Sequence, residues 1–290
     1  MKKSFFTLRF LALIYVTLAF TSCKKDQEQV DNDTSSATDN SIAQQNFNDL
    51  TTMADEALRN GTSNIYKSGN SYSVLSACAT IDVVSGTKVN FSSDGKDTIT
   101  INFGSNNCLC NDGRYRRGLV QFIYTGPYRT SGTVITVTPS NYYVNDHAVQ
   151  GVKTITNNGS GIGYFLRHTI VVNGTIVKPN GGGTITWNST RTRDWVSGDT
   201  TLMWDDDVYQ INGNANGTSA GGTNFSSTII SPLIRKFDPT NPVCRRYFIQ
   251  GTIDHIPSGK PTRTIDFGNG TCDNLGTITV NGNVYTFQMP

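Results

Sequence analysis

The chain has 290 residues, with 24 Lys and Arg against 22 Asp and Glu, which gives a net charge of +2. So low a charge excludes disorder driven by charge repulsion and argues against a nucleic-acid partner. The 38 Thr, 28 Asn and 28 Gly are residues of strands and tight turns. Charge is unevenly distributed: residues 23–60 carry eight acidic and three basic groups, whereas residues 61–290 carry 18 basic groups, 14 Asp and no Glu. The missing glutamates speak against a glycosidase, which usually works with a pair of carboxylates.

The first 22 residues have the pattern of a secretory signal peptide. Positive charges come from Lys2, Lys3 and Arg9. They precede an apolar stretch, residues 10–20, that is too short to span a bilayer. The small residues Thr21 and Ser22 then lead to Cys23, and the whole segment resembles a bacterial lipoprotein signal. That resemblance implies that Cys23 is lipidated and becomes the first residue of the mature protein. The alternative is an ordinary cleaved signal followed by an incidental cysteine.

The residues after Cys23 indicate the membrane to which the protein is sorted and predict a tether between the lipid and the domain. Residue 24 is Lys, not the Asp that retains lipoproteins in the inner membrane, so the resemblance implies an outer-membrane lipoprotein. Whether it faces the periplasm or the cell surface stays open. Residues 23–40 are polar and predict a flexible tether. The lipid anchor makes the membrane the first expected partner.

Residues 41–60 are the one good helix candidate. Phe47, Leu50 and Ala54 recur at three- and four-residue steps, and Gly61 suits the position after a helix end. We expect this apolar stripe to pack on the β region, and a partner-binding helix is the alternative.

From residue 61 to 290 the hydrophobic period changes to two, and about fourteen strand candidates follow. The clearest are Thr98–Phe103, Leu119–Thr125, Thr133–Thr138, Val149–Thr156, Thr169–Val177, Thr184–Thr192, Asn224–Ile230, Tyr247–Asp254 and Thr277–Val280. Asn-Gly pairs predict hairpin turns between them, at 173–174, 180–181, 212–213 and 281–282. The pattern predicts an all-β, antiparallel, sandwich-like architecture with one short N-terminal helix. Residues 61–290 are expected to form either one β unit or two related β units, and in the second case the boundary lies near residues 157–183.

A weak internal repeat guides the assignment of the cysteines. Thr98–Gly104 precedes Cys108, and the similar Arg263–Gly268 precedes Cys272. Each motif also has a cysteine upstream, so the repeat favours the disulfides Cys78–Cys108 and Cys244–Cys272, as expected in an oxidising compartment. Cys110 could replace Cys108. Otherwise Cys110 is a buried free thiol, and intermolecular pairing or a redox role are its alternatives.

The sequence nominates no catalytic residue, metal site or cofactor. His147, His168 and His255 do not pair at metal-ligand spacing and are expected to be surface or packing residues. Residues 217–221 match the G-x-S-x-G pattern of hydrolases around Ser219. That pattern needs a strand before the serine and a helix after it, and here both flanks predict loop or strand. We therefore expect Ser219 to be a turn residue.

Two groups of side chains are candidates for ligand binding. Arg114, Arg116, Arg117 and Tyr128 could contact carboxylates, phosphates or sugars, although solvated arginines on a hairpin are the alternative. Trp187 and Trp195 are eight residues apart, an even number that places both on one face of a strand with Arg191 and Arg193 between them. They form either a sugar-stacking platform or part of the core.

Several segments resemble a family of uncharacterised lipoproteins of Bacteroidota that has no established activity. The resemblance is carried by residues 113–128, 141–145, 151–154 and 266–274, and it covers roughly residues 78–290. It supports an outer-membrane localisation and implies no site residues. The hypothesis is a non-catalytic, lipid-anchored extracytoplasmic module for ligand binding or surface structure. A carbohydrate-binding or polysaccharide-processing accessory protein and a fimbrial-type assembly subunit are the alternatives, with a glycan or a protein as ligand.

Overall fold

The computed structural model describes residues 30–61, 75, 78–83, 97–199, 206–236 and 246–289. They comprise one α-helix, α1 (Ser35–Gly61), and fourteen strands. The strands are β1 (Thr80–Val83), β2 (Asp97–Asn102), β3 (Cys108–Leu109), β4 (Tyr115–Tyr124), β5 (Val134–Val144), β6 (His147–Asn157), β7 (Leu166–Val177), β8 (Thr184–Ser197), β9 (Val208–Thr218), β10 (Asn224–Lys236), β11 (Gln250–Pro257), β12 (Arg263–Asn269), β13 (Leu275–Val280) and β14 (Asn283–Gln288). In this part of the chain, no helix is both long and apolar enough to cross a membrane.

The strands form a single antiparallel sheet whose order follows the chain. Each strand from β4 to β14 pairs with the next one, β2 lies between β1 and β4, and the short β3 pairs with β4. Long registers hold the middle of the sheet, where β7 pairs with β8 from Leu166–Trp195 to Val177–Thr184. The all-β, antiparallel prediction is confirmed.

This sheet curls around α1. The helix makes hydrogen bonds to strands far apart in the sheet order: Tyr124 on β4 donates to the carbonyl of Ala54 over 2.7 Å. On β10, Arg235 donates to Thr52 over 2.8 Å. His255 on β11 shares a 2.8 Å hydrogen bond with Ser36. The concave face of the sheet therefore surrounds the helix, and α1 forms the second layer that a second sheet would supply in a sandwich.

Burial of α1 follows from this arrangement. The apolar residues Phe47, Leu50 and Ala54 are at most 1% exposed, which confirms the predicted stripe. Polar residues on the other sides of the helix, such as Asp49 and Asn40, are buried as well. A helix that packs on one surface keeps a polar face in water, so burial on all sides shows that the sheet encloses α1.

One predicted boundary needs correction, and of the two organisations left open for the β region, the single unit is the one observed. The helix begins at Ser35, six residues before the predicted start, so part of the predicted tether 23–40 belongs to the fold. The reason is tertiary: Asp39, placed in the tether, accepts a hydrogen bond from Lys178 and ends buried. The sheet also runs without a break through residues 157–183, and residues 31–290 form one compact unit rather than two.

The Asn-Gly pairs divide into two groups. Asn281 and Gly282 have positive φ values of 50° and 78° and form the predicted turn between β13 and β14. The pair 173–174, in contrast, lies inside β7, and 212–213 lies inside β9. A Cβ on Gly174 would stand 2.1 Å from the ring of Phe47, so this glycine lets the helix approach the sheet.

The internal repeat has a structural counterpart in its described part. In the first copy, the amide of Gly104 donates to the side chain of Asn102 over 2.8 Å, and Phe103 between them is buried. In the second copy, Gly268 donates to Asp266 over 2.8 Å, and Phe267 is buried. Both motifs thus contain the same side-chain turn, after the last residue of β2 in the first copy and inside β12 in the second, and each has a buried phenylalanine.

Candidate functional site

The chemistry-bearing side chains of this protein meet at the interface between α1 and the concave face of the sheet. The helix contributes carboxylates and amides, and the strands contribute arginine, lysine and histidine. Strand residues two apart point to one face, which explains why alternate residues of β8 (Trp187, Ser189, Arg191, Arg193 and Trp195) are all buried. We call this interface the charged interior.

One cluster of the charged interior is centred on Asp49 of the helix. Its Oδ2 lies 2.7 Å from Nη2 of Arg116 and 3.4 Å from Nη1 of Arg114. Arg116 also donates two hydrogen bonds to Asp112, of 2.8 and 2.7 Å. Burial by itself would raise the pKa of Asp49, but Arg116 and Arg114 hold that pKa below its ordinary value. The carboxylate is therefore charged and ties the helix to the start of β4.

A second cluster surrounds Asp55, near the end of the helix. Its Oδ2 lies 3.1 Å from Nη1 of Arg193, which also donates to the hydroxyl of Tyr128. The Tyr128 ring stacks on His168, with 5.1 Å between ring centroids. Burial, together with the charge of Arg193, lowers the pKa of His168 to about 3. This histidine is neutral at physiological pH.

The beginning of the helix is held by an ion pair and by hydrogen bonds. Asp39 accepts hydrogen bonds of 2.8 Å from Lys178 and from the amide of Ala220. The indole of Trp187 donates to Asn40 over 2.9 Å. Because Lys178 lies in the β7–β8 turn and Ala220 in the β9–β10 turn, this end of the helix is fixed to the hairpin turns of the sheet.

Within the described residues, His255 forms the one contact that resembles a nucleophile–base pair. Its ring nitrogens lie 2.8 Å from the hydroxyl of Ser36 and 2.9 Å from that of Ser227. Burial, with a smaller effect of Arg263, lowers its pKa to about 4. His255 and Ser36 are 0% and 4% exposed, so a substrate carbonyl has no access to the serine. We interpret the pair as polar packing.

Both candidate tryptophans are part of the core, as the second of their two interpretations predicts. Trp187 is 2% exposed and stacks on Phe47 at 5.5 Å, and Trp195 is 3% exposed and packs against Tyr209. The even spacing does place them on one face, with Arg191 and Arg193 between them. That face is the concave one, so neither indole ring is available for a sugar.

The candidate arginines are divided between the two faces of the sheet. Arg114 and Arg116 are 2% and 0% exposed and belong to the Asp49 cluster, and Tyr128 belongs to the Asp55 cluster. Arg117 alone faces outward, where it pairs with Asp146 and lies 3.8 Å from the centre of the Tyr143 ring. The structure therefore does not assemble these residues into one surface site.

The cysteines follow the repeat where the structure describes them. Cys78 and Cys108 form the predicted disulfide. Cys110 is a buried free thiol, and burial raises its pKa. Cys272 is disulfide-bonded, and its predicted partner, Cys244, lies outside the described residues, as does the lipidation candidate Cys23.

Ser219 lies in the turn between β9 and β10, and a strand follows it, so the strand–turn–helix context of a hydrolase nucleophile is not formed. Its hydroxyl accepts a hydrogen bond from the amide of Thr223 over 3.2 Å. In the described part of the chain, no three His, Cys, Asp or Glu side chains group as metal ligands.

Sequence reasoning missed the residues that organise the interior, above all Asp49, Asp55 and Lys153. Lys153 on β6 is 1% exposed and donates to the carbonyl of Phe47. Burial, followed by the charges of Arg193 and Arg235, lowers its pKa well below the ordinary lysine value. One sequence signal could have indicated these residues. Residues 23–60 are acidic and residues 61–290 are basic, as expected if the helix lies inside the sheet.

A small cavity of about 30 Å³ lies within the charged interior. We call it the interior cavity. Its wall includes Thr51 and Asp55 from the helix and Lys153, Ser189, Arg191 and Arg193 from the sheet.

Comparison of the chain with family models, curated proteins and solved structures finds no match.

Proposed function

We propose that this protein is a lipid-anchored lipoprotein of the outer membrane, a non-catalytic module that presents loops away from the bilayer for binding or surface structure. The observation that carries the proposal is where the chain enters the fold. Seven residues separate Cys23 from Asp31, and seven residues span at most about 25 Å. Lipid on Cys23 would thus hold the domain near the bilayer.

The chain enters at the end of the sheet where hairpin turns meet. Asn281 in the β13–β14 turn donates to the carbonyl of Asp31 over 2.7 Å. Lys260, beside the β11–β12 turn, donates to Asp33 over 3.2 Å. In an antiparallel sheet that follows chain order, successive connections alternate between two ends. The loops 125–133, 158–165 and 270–274 therefore lie at the opposite end, which we call the distal end.

The distal end carries features of a contact surface. The Ile162 side chain, in the β6–β7 loop, is fully exposed, and Phe165 nearby is 39% exposed. Arg167 lies 4.2 Å from the centre of the Tyr164 ring. Binding residues concentrate on loops held by a rigid scaffold, and the charged interior, which fixes the helix in the sheet, supplies that rigidity.

Lipidation is tested by changing Cys23. Cells producing the Cys23→Ala variant should release the protein from the membrane fraction, because the acyl chains are the proposed anchor. The matched control is Cys110→Ala, which removes a buried thiol and should stay in the membrane fraction. Mass spectrometry of the mature protein should find lipid on Cys23. An unmodified Cys23, or cleavage at another bond, would exclude the anchor.

Orientation is tested with two single-cysteine labels on the lipidated protein in vesicles that contain a quencher-bearing lipid. A fluorophore at Ser258→Cys, on an exposed position in the β11–β12 turn, should be strongly quenched. The same fluorophore at Ile162→Cys should be quenched weakly, since the strands between the two ends rise about 3.3 Å per residue. Equal or reversed quenching would contradict the proposed distal end.

A further inference from the structure

The interior cavity is lined by hydrogen-bond donors that lack acceptors. Apart from the carboxylate of Asp55, which also lines the cavity and pairs with Arg193, four buried atoms on its lining residues have no hydrogen-bond partner among the described residues. They are Nη1 of Arg191, Nε of Arg193, Oγ of Ser189 and Oγ1 of Thr51. Guanidinium nitrogens only donate, and hydroxyl groups can donate. Buried polar groups in proteins normally have hydrogen-bond partners. We therefore expect a hydrogen-bond acceptor to occupy the cavity.

Positive charge around the cavity exceeds negative charge. Its wall contains the guanidinium groups of Arg191 and Arg193 but a single carboxylate among the described lining residues, Asp55, which is paired with Arg193 at 3.1 Å. The excess makes an anion a better occupant than a neutral acceptor.

Arg191 is the clearest example of a buried charge in this wall that has no counter-charge among the described residues. Within the described residues, its hydrogen-bond acceptor is the neutral side chain of Gln44, at 3.2 Å, and no carboxylate pairs with it. It is 6% exposed, and burial lowers its pKa to about 10. A buried charge without a counter-charge is strongly destabilising, so a bound anion at this position would stabilise the fold.

We propose that the interior cavity binds one small monovalent anion of the size of chloride, held by the guanidinium groups of Arg191 and Arg193 and the hydroxyls of Ser189 and Thr51. Size supports this assignment. A cavity of about 30 Å³ has room for about two water molecules, hence for a halide but not for a sugar or a nucleotide. The anion is a structural ligand that fixes α1 to strand β8.

The first test compares chloride with gluconate, an anion too large for the cavity, at constant ionic strength. The mature protein is transferred to sodium gluconate and titrated with sodium chloride while its melting temperature is recorded. A ligand that binds the folded state alone stabilises it according to its concentration and affinity. We expect a saturable rise of several degrees in chloride. Identical melting in both salts would mean that the cavity holds only water.

Three variants test whether chloride raises the melting temperature by binding in the interior cavity. Arg191→Met removes the unpaired guanidinium and should abolish the response to chloride while folding well in gluconate, because an apolar side chain replaces a costly buried charge. Ser189→Ala keeps both arginines and should weaken the apparent affinity about tenfold. Arg117→Met is the matched control, since it removes an arginine from the outer face and should respond like the wild type. An unchanged response in Arg191→Met would overturn the assignment.

Direct observation uses the wild-type protein, so the proposal stays testable if Arg191→Met fails to fold. Crystals soaked in sodium bromide should show an anomalous peak within hydrogen-bond distance of Arg191 and Ser189. Bromide at surface arginines with none in the cavity would refute the proposal.

Discussion

Asp49→Ala should lower the free energy of unfolding by about 3–5 kcal/mol. The substitution removes the carboxylate that pairs with Arg114 and Arg116, both buried, and loss of one partner of a buried ion pair costs about this much because it leaves uncompensated charge. Urea unfolding at pH 7, followed by far-ultraviolet circular dichroism, measures the difference.

The control for this experiment is Asp146→Ala, which removes a carboxylate of the same type from an exposed pair with Arg117. Exposed pairs contribute little, so this variant should unfold at nearly the same urea concentration as the wild type. If the two variants were equally stable, the Asp49 cluster would not be what holds the helix in the sheet.

Stability should fall by about 4 kcal/mol between pH 7 and pH 5. The folded-state pKa values of His168 and His255, about 3 and about 4, lie below the ordinary value of 6.5. Below pH 6.5 the unfolded chain therefore takes up two protons that the folded protein does not. Stability is complete above pH 6.5 and is lost as the pH falls toward 4. Urea unfolding at several pH values between 7 and 5 measures the slope.

Two variants assign this slope to the two histidines. His168→Phe preserves stacking on Tyr128 and removes a ring whose two nitrogens have no hydrogen-bond partner among the described residues, so it should not destabilise the protein at pH 7. His255→Gln retains hydrogen-bonding groups for Ser36 and Ser227. Each variant should remove about half of the pH dependence. Should neither change the slope, other groups must titrate in this range.

Local patterns predicted the strands well because alternation is a property of neighbouring residues. On β8, the even spacing of Trp187 and Trp195 correctly placed them on one face. It could not say whether that face is solvated, since burial depends on α1, which is distant in sequence. Asn-Gly pairs show the same limit. The pair 281–282 forms a turn, whereas 173–174 continues a strand because Phe47 of the helix packs directly over Gly174.

The candidate site was harder to predict than the strands. Arg114, Arg116 and Tyr128 are predicted ligand-binding residues because their side chains can recognise anions and sugars. Their partners in the structure, Asp49 and Arg193, lie some 65 residues away in the sequence. The periodicity of a single sequence does not reveal pairings between residues that are so far apart.

By itself, the sequence determined the strand-and-turn character of residues 61–290, the single helix and the opposite charge of the two segments. Composition and short-range periodicity carry that information. Only the tertiary structure decided that the acidic helix lies inside the basic sheet. Burying α1 on all sides requires partners for its carboxylates. Asp49 pairs with Arg116 on β4 and Asp55 pairs with Arg193 on β8, and these strands meet around the helix only when the sheet curls.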